Sequence, residues 1–289
     1  MNLLKKTFLL LIPLNILTSP YCTAECIQTC INNDLERFQT YFHFIDTYPH
    51  ILGPKGNHFL GEIELVEDIP TIQSIEKASY QKAIQKGFCE EEARKASQAG
   101  IIVNDLYFLY IRDPVKFPSN TTGLYNRLIW KHSLHAPAVG AAVLPITFDG
   151  KIILEVIYRH ALRSWEVELP GALVEPDESP EQTLKRALDE ETGFQVIGPL
   201  YYLGEVTTDH AVMAVSVPIY LAKVSKNSER HLEATKALAD HLTLSKEELK
   251  NALIQGYINA TFNGHPIKAR VRDSQLTYAV LLAELKHLF

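Results

Sequence analysis

The stretch ELPGALVEPDESPEQTLKRALDEETGF, residues 168–194, carries eight carboxylates. Glu190 and Glu191 are adjacent near its end, and Ala187 precedes them by three and four positions. On a helix these three positions share one face. Neighbouring carboxylates there repel unless a cation or a basic side chain sits between them. Oxygen-rich, carboxylate-lined sites are what magnesium and manganese prefer, and cations held there can in turn hold phosphates. The competing reading is a solvated acidic surface.

The local signals place this chemistry on a helix. Ser179 can cap, Pro180 suits the first helical position, and Gln182 completes a capping box. Gly193 follows Thr192 where a left-handed C-terminal cap belongs. The spacing therefore predicts a helix over residues 180–192. Upstream, DLYFLYIRD, GLYNRLIW and AVGAAVLPITFDGKIILEVIYRH read as strands, as does VMAVSVPIYLAKV downstream, by their β-branched and aromatic content. Asp149-Gly150 between two apolar runs signals a hairpin. A last helix closes the chain, capped by Asp273 or Ser274, with Leu276, Ala279, Val280 and Ala283 as its apolar face. Residues 25–101 read as a helical accessory region, with SIEKASYQKAIQKGF and EEEARKASQAG at helical spacing and Gly87 and Gly100 as stops. Residues 47–58 are loop-like by their Pro and Gly content.

The acidic stretch resembles the Nudix box, G-x5-E-x7-R-E-U-x-E-E-x-G-U with U apolar. Glu178, Arg186, Leu188, Glu190, Glu191, Gly193 and Phe194 match it. VIYRH and WEVELPGALVEP before the box, and RDSQLTYAVLLAEL at the end, resemble the ADP-ribose pyrophosphatase branch, so the similarity covers residues 102–289. The resemblance implies a Nudix-like α/β/α sandwich with a mixed sheet, of α/β (α+β) class. It implies Mg2+ or Mn2+ held by Glu190, Glu191 and the backbone carbonyl of Gly171, with Glu190 also directed at the activated water. Arg159 and Glu168 are implied as substrate contacts. Among the residues themselves, Trp165 could stack on an adenine or simply pack within its strand, and Glu178 with Arg186 reads as a structural brace rather than a substrate contact. The general base in that branch is an acid on a late loop, where Glu229 and Glu233 stand. Two positions depart from the pattern: the opening Gly falls on Ala172, one place after Gly171, and the Glu following the box Arg is Ala187.

Composition bounds the partners. At 289 residues, 46% hydrophobic and 21% charged, the chain has room for one sizeable domain and something smaller. A net charge of −6 with no basic block to offset it argues against a nucleic-acid partner. Lys5 and Lys6, the apolar run 7–18 and the small residues Cys22 and Ala24 read as an export signal over residues 1–24. The run is too short for a bilayer span and contains Pro13 and Asn15, so a cleaved signal is expected over an anchor, giving a periplasmic or secreted protein. Cys26, Cys30 and Cys89 would then sit in an oxidising compartment, with their pairing open. Asn120 and Asn259 begin glycosylation-type sequons.

These readings converge on metal-assisted hydrolysis of a nucleoside diphosphate linked to another moiety, ADP-ribose or a nucleotide sugar by the resemblance. The alternative is a catalytically impaired Nudix-fold protein, because Ala187 removes a family carboxylate, that binds a nucleotide or a protein partner. The resemblance also implies a homodimer through LYFLYIRD and GLYNRLIW.

Overall fold

A computed structural model of the chain describes residues 24–136, 138–227, 238 and 241–288, with side chains from residue 34 onward. In chain order the first elements are α1 (Ala24–Thr47), α2 (Pro49–Leu52), β1 (Glu64–Leu65), α3 (Ile69–Gln85), α4 (Glu90–Ser97), β2 (Gly100–Asn104), β3 (Phe108–Lys116) and β4 (Thr122–Trp130). Then come β5 (Gly140–Thr147), β6 (Ile152–Arg159), β7 (Ser164–Glu168), β8 (Gly171–Leu173), α5 (Pro180–Thr192), β9 (Phe194–Thr207) and β10 (Ser216–Lys226). The chain closes with β11 (Leu242–Leu244), α6 (Lys246–Gln255), β12 (Tyr257–Phe262), β13 (His265–Arg270) and α7 (Ser274–Leu285).

One compact unit takes in the described residues of 1–49 with 54–101 and 113–124. Phe38, Ile72 and Ala99 form its core. Arg37 Nη1 donates to Glu76 at 2.7 Å and to the Ala99 carbonyl at 2.6 Å, and Nη2 donates to Asp34 at 2.8 Å. α3 starts where Asp68 accepts from the Thr71 N–H, with Pro70 in the first turn. β1 pairs antiparallel with the end of β3, Glu64 opposite Lys116. The expected helices of the accessory region are both present, and a short α2 stands in the stretch read as loop. Residues 1–23, which hold the expected export signal, and the Cys26 and Cys30 side chains lie outside the description.

The second unit holds residues 50–53, 102–112 and 125–289 as far as they are described. Its sheet runs β12-β13-β7-β6-β5-β10-β9, with β11 on β6 and β8 on β5. Most neighbours are antiparallel, but β10 runs parallel to β5 and β13 parallel to β7, so the sheet is mixed. The Asp149-Gly150 turn joins β5 to β6 with Gly150 at φ 80°, as its sequence signals. Side chains alternate across each strand. Leu144, Leu154, Val156, Val167 and Ile219 point to one face, where Leu249 and Ala252 of α6 and Leu276, Ala279, Val280 and Ala283 of α7 cover them. Ala141, Val143, Ile153 and Ala222 point to the other face, under Leu184 and Leu188 of α5. The result is an α/β/α sandwich with α5 alone on one side among the described helices of this unit. Asp273 is the cap of α7, its carboxylate accepting from Gln275 and Leu276.

Candidate active site

α5 is built as its capping residues dictate. The Ser179 hydroxyl accepts from the Gln182 N–H, Gln182 Oε1 accepts from the Ser179 N–H at 2.7 Å, and Gly193 closes the helix at φ 72°. The helix turns Thr183, Leu184, Ala187, Leu188, Glu191 and Thr192 inward. Ala187 is 1% exposed, within the described core, and Glu191 is only 4% exposed, a carboxylate held against the sheet.

Glu190 does not share this face. Its side chain is 42% exposed and lies 3.5 Å from Arg186 Nη1. Measured round the helix from Ala187, Glu191 is turned about 40° towards the centre of the buried face, whereas Glu190 is turned about 60° the other way, to its rim. The basic side chain one turn earlier takes the outer carboxylate. The three positions expected on one face are therefore split, with Ala187 and Glu191 inside and Glu190 out. Among the described residues, no group of three or more His, Cys, Asp or Glu side chains is arranged to hold a metal ion.

Arg186 binds Glu178 through two parallel hydrogen bonds, Nε to Oε1 and Nη2 to Oε2, both 2.8 Å, and Thr183 donates to the same carboxylate at 2.7 Å. This is the expected brace between the incoming loop and α5. The guanidinium and the Thr183 hydroxyl hold the Glu178 carboxyl down at about 2. At the other edge of the first turn, the Tyr220 hydroxyl donates to Glu181 at 2.9 Å, and burial with that carboxylate pushes the phenol up to about 12.

β8 brings Gly171 to the site. Ala142 stands opposite it, and the ladder bond runs instead from the Val143 N–H to the Pro170 carbonyl at 3.0 Å. In antiparallel pairing the residue between two bonded pairs turns its own N–H and carbonyl away from the partner strand. The Gly171 carbonyl is thus not spent on β5. Glycine is required there by close approach, since a Cβ would lie 2.4 Å from the Ala141 carbonyl oxygen. β8 packs beside α5.

Arg159 ends β6, and Glu168 ends β7. Arg159 Nε donates to Glu168 Oε1 at 2.9 Å, and Nη2 donates to Oε2, so the guanidinium fork is engaged by one carboxylate. Glu168 keeps the guanidinium protonated more firmly, and Glu155 and Asp273 add to that field. Glu155 is directly opposite Glu168 in the β6–β7 register and is 5% exposed. Alternation puts Glu155, Arg159, Glu166 and Glu168 on the α5 face of the sheet. Burial raises the Asp273 carboxyl despite its two cap bonds. Trp165, expected to stack on a base, falls on the opposite face. Its ring packs 5.6 Å from Tyr158 and 5.0 Å from Phe262, against the apolar core.

Glu229 and Glu233, the expected base candidates, lie outside the described residues. Sequence reasoning missed Glu155 and Glu166 as members of this charged face, and Asp273, read only as a helix cap, as a charge that acts on Arg159. The signal for Glu155 was present: a lone carboxylate in the apolar run IILEVIY must be placed where charge is tolerated.

Residues 136–252 match the NUDIX domain model. The chain is 36% identical over 104 residues to an ADP-ribose pyrophosphatase of Bacillus subtilis (strain 168), covering 36% of this chain and 51% of that protein. It is 35% identical over 97 residues to a CMP-5'-(N-acetyl-N-hydroxy-3-aminopropyl)phosphonate hydrolase of Streptomyces rubellomurinus (strain ATCC 31215), covering 32% and 43%. A methanol dehydrogenase activator of Bacillus methanolicus is 37% identical over 84 residues, covering 29% and 41%. The chain thus spans about half, or less, of the length of these curated relatives. A solved ADP compounds hydrolase superposes with a TM-score of 0.49 at 19% identity, covering 66% of this chain and 93% of that one.

Proposed function

We propose, from the premise that residues 136–252 belong to the Nudix family with ADP-ribose pyrophosphatase-like character, that the chain hydrolyses a nucleoside diphosphate linked to a second moiety, with ADP-ribose the leading substrate. The observation that carries this reading is Glu191, kept 4% exposed on the sheet side of a fully capped α5. A carboxylate presented from a rigid, capped helix is the oxygen donor that Mg2+ and Mn2+ take.

The donors on this side of α5 are oxygens, the Glu191 carboxylate and the Gly171 carbonyl, and that chemistry fits Mg2+ or Mn2+. When bound, such a cation neutralises the diphosphate and lowers the pKa of water. Glu191 and Gly171 would hold it, and Glu190 would join only by leaving Arg186. Glu168 fixes the orientation of Arg159, whose guanidinium faces the incoming phosphates. In the reaction the water oxygen ends on one phosphorus, and the bridging oxygen departs with the other. Two phosphate monoesters are released. For ADP-ribose they are AMP and ribose 5-phosphate, and chromatography of a reaction with Mg2+ or Mn2+ tests for both. Their absence with active, folded protein would overturn the reading.

The loss of a carboxylate at Ala187 and the outward turn of Glu190 favour a second reading, a domain that binds nucleotide or a protein partner and hydrolyses little. Fold outlasts such losses more readily than activity does. The proposal extends to location and assembly. Residues 1–24 direct export and are removed, supported by the basic start and short apolar run. No helix of the described residues is long and apolar enough to cross a membrane. β3 and β4 supply a homodimer face, supported by the resemblance of their sequences to the branch.

A further inference from the structure

Three arginines reach the α5 face of the β6–β7–β13 region, and they are not equivalent. The Arg159 fork is filled by Glu168. Arg272 donates Nε at 3.1 Å and Nη2 at 2.8 Å to Glu166, a carboxylate only 3% exposed that also accepts from Ser164. Arg270 stands directly opposite Glu166 in the parallel register of β13 with β7, yet it is exposed. Arg270 adds to the positive field on the Glu166 carboxylate, but among the described residues no hydrogen bond or ion pair engages its guanidinium, the Glu166 oxygens being bonded by Arg272. Two residues earlier on the same face is Lys268, also exposed, with Nζ 3.6 Å over the centre of the Tyr257 ring. Tyr257 is in turn the β12 partner of Arg270.

This face is therefore polarised. β6 and β7 carry acids whose arginines are committed, and β13 carries two cations that, among the described residues, make no hydrogen bond to a carboxylate. Adjacent strands are roughly 4.8 Å apart, so β13 lies about 10 Å from β6. With Arg159 of β6 taken to face the diphosphate, as in the reading above, that separation leaves room for a sugar between the two positions. Resting on the hydrolase reading above, we propose that Arg270 and Lys268 form an anion subsite, and that the substrate class is a nucleoside diphosphate derivative bearing a phosphomonoester one sugar away from the diphosphate. Arg270 supplies a planar fork for a phosphate, and Lys268 adds a second charge with the Tyr257 ring steadying its ammonium.

The phosphomonoester can sit on the nucleoside ribose or on the distal sugar. The test compares three substrates with the full chain and Mn2+: ADP-ribose, ADP-ribose phosphorylated on the adenosine ribose, and ADP-ribose phosphorylated on the distal ribose. One phosphorylated substrate should show a KM at least about tenfold below that of ADP-ribose. Arg270→Ala should erase that preference while leaving kcat and KM for ADP-ribose within about twofold. Arg270→Lys should retain part of it. Preference for neither phosphorylated form, or an equal loss on all three substrates in Arg270→Ala, would overturn the subsite. Calorimetric affinities for the same three compounds separate this from failure of the hydrolase reading. If nothing is hydrolysed but one phosphorylated compound binds more tightly in an Arg270-dependent way, only the hydrolase reading falls; equal affinities sink the subsite.

Discussion

Glu191 and Ala187 sit one turn apart on the buried face of α5, and their environments dictate opposite experiments. Glu191→Gln keeps the shape and removes the charge. It should weaken Mn2+ binding and hydrolysis by one to several orders of magnitude while circular dichroism stays unchanged. Equal Mn2+ affinity by calorimetry would remove Glu191 from the site. Ala187 is 1% exposed, so Ala187→Glu places a new carboxylate in the packed interior. Without metal the variant should be destabilised by a few kcal/mol. If the restored carboxylate becomes a ligand, Mn2+ should recover much of that loss in thermal denaturation, and hydrolysis should rise about tenfold, equivalent to ~1.4 kcal/mol of barrier. A destabilisation that Mn2+ leaves untouched would show that position 187 no longer faces a metal.

At the scale of elements, two contacts fix α5 and its loop. The Glu178 carboxyl titrates at about 2 in the folded chain against an ordinary 4.5. The unfolded chain binds that proton more readily, so the brace contributes stability that is complete above pH 4.5 and is lost as pH falls towards 2. Glu178→Gln should flatten the acid-denaturation profile between pH 5 and 2 relative to wild type, and coincident slopes would argue that the brace contributes nothing. The second contact is the strand approach at Gly171. With a Cβ 2.4 Å from the Ala141 oxygen, Gly171→Ala must push β8 from β5. It should cost about 1–3 kcal/mol in urea unfolding, the scale of overpacking elsewhere. Unchanged stability would mean that β8 shifts without cost.

For the whole molecule, the proposed export signal over residues 1–24 sets where these tests are done. Expressed in a bacterium with a secretory pathway, the chain should lose roughly two dozen residues, the usual signal length. Mass spectrometry of cell fractions checks this, and an intact Met1 terminus in the cytoplasm would overturn export. The mature chain would carry the α/β/α sandwich with all its box residues, since processing ends well before β5.

What was legible in the sequence was local. Ser179, Pro180, Gln182 and Gly193 specify α5 because caps act through bonds to residues three or four positions away. The Asp149-Gly150 turn, the apolar face of α7 and the Glu178–Arg186 brace follow from equally short-range rules. Two further elements obey the same short-range rules. Ser245 and Glu248 form a capping box that starts α6, and Asn263-Gly264, at φ 49° and 78°, turns the β12–β13 hairpin. The faces were another matter. Whether Glu190 or Glu191 turns inward depends on which side of α5 meets the sheet, and on Arg186 being placed to draw Glu190 out. Glu155, Glu168, Glu166 and Arg270 are separated by up to 115 residues, and only the pairings of β6, β7 and β13 bring them side by side. The same alternation sends Trp165 into the core. Helix caps and turns are settled by neighbours along the chain; the composition of the charged face is settled by strand register, which tertiary packing alone decides.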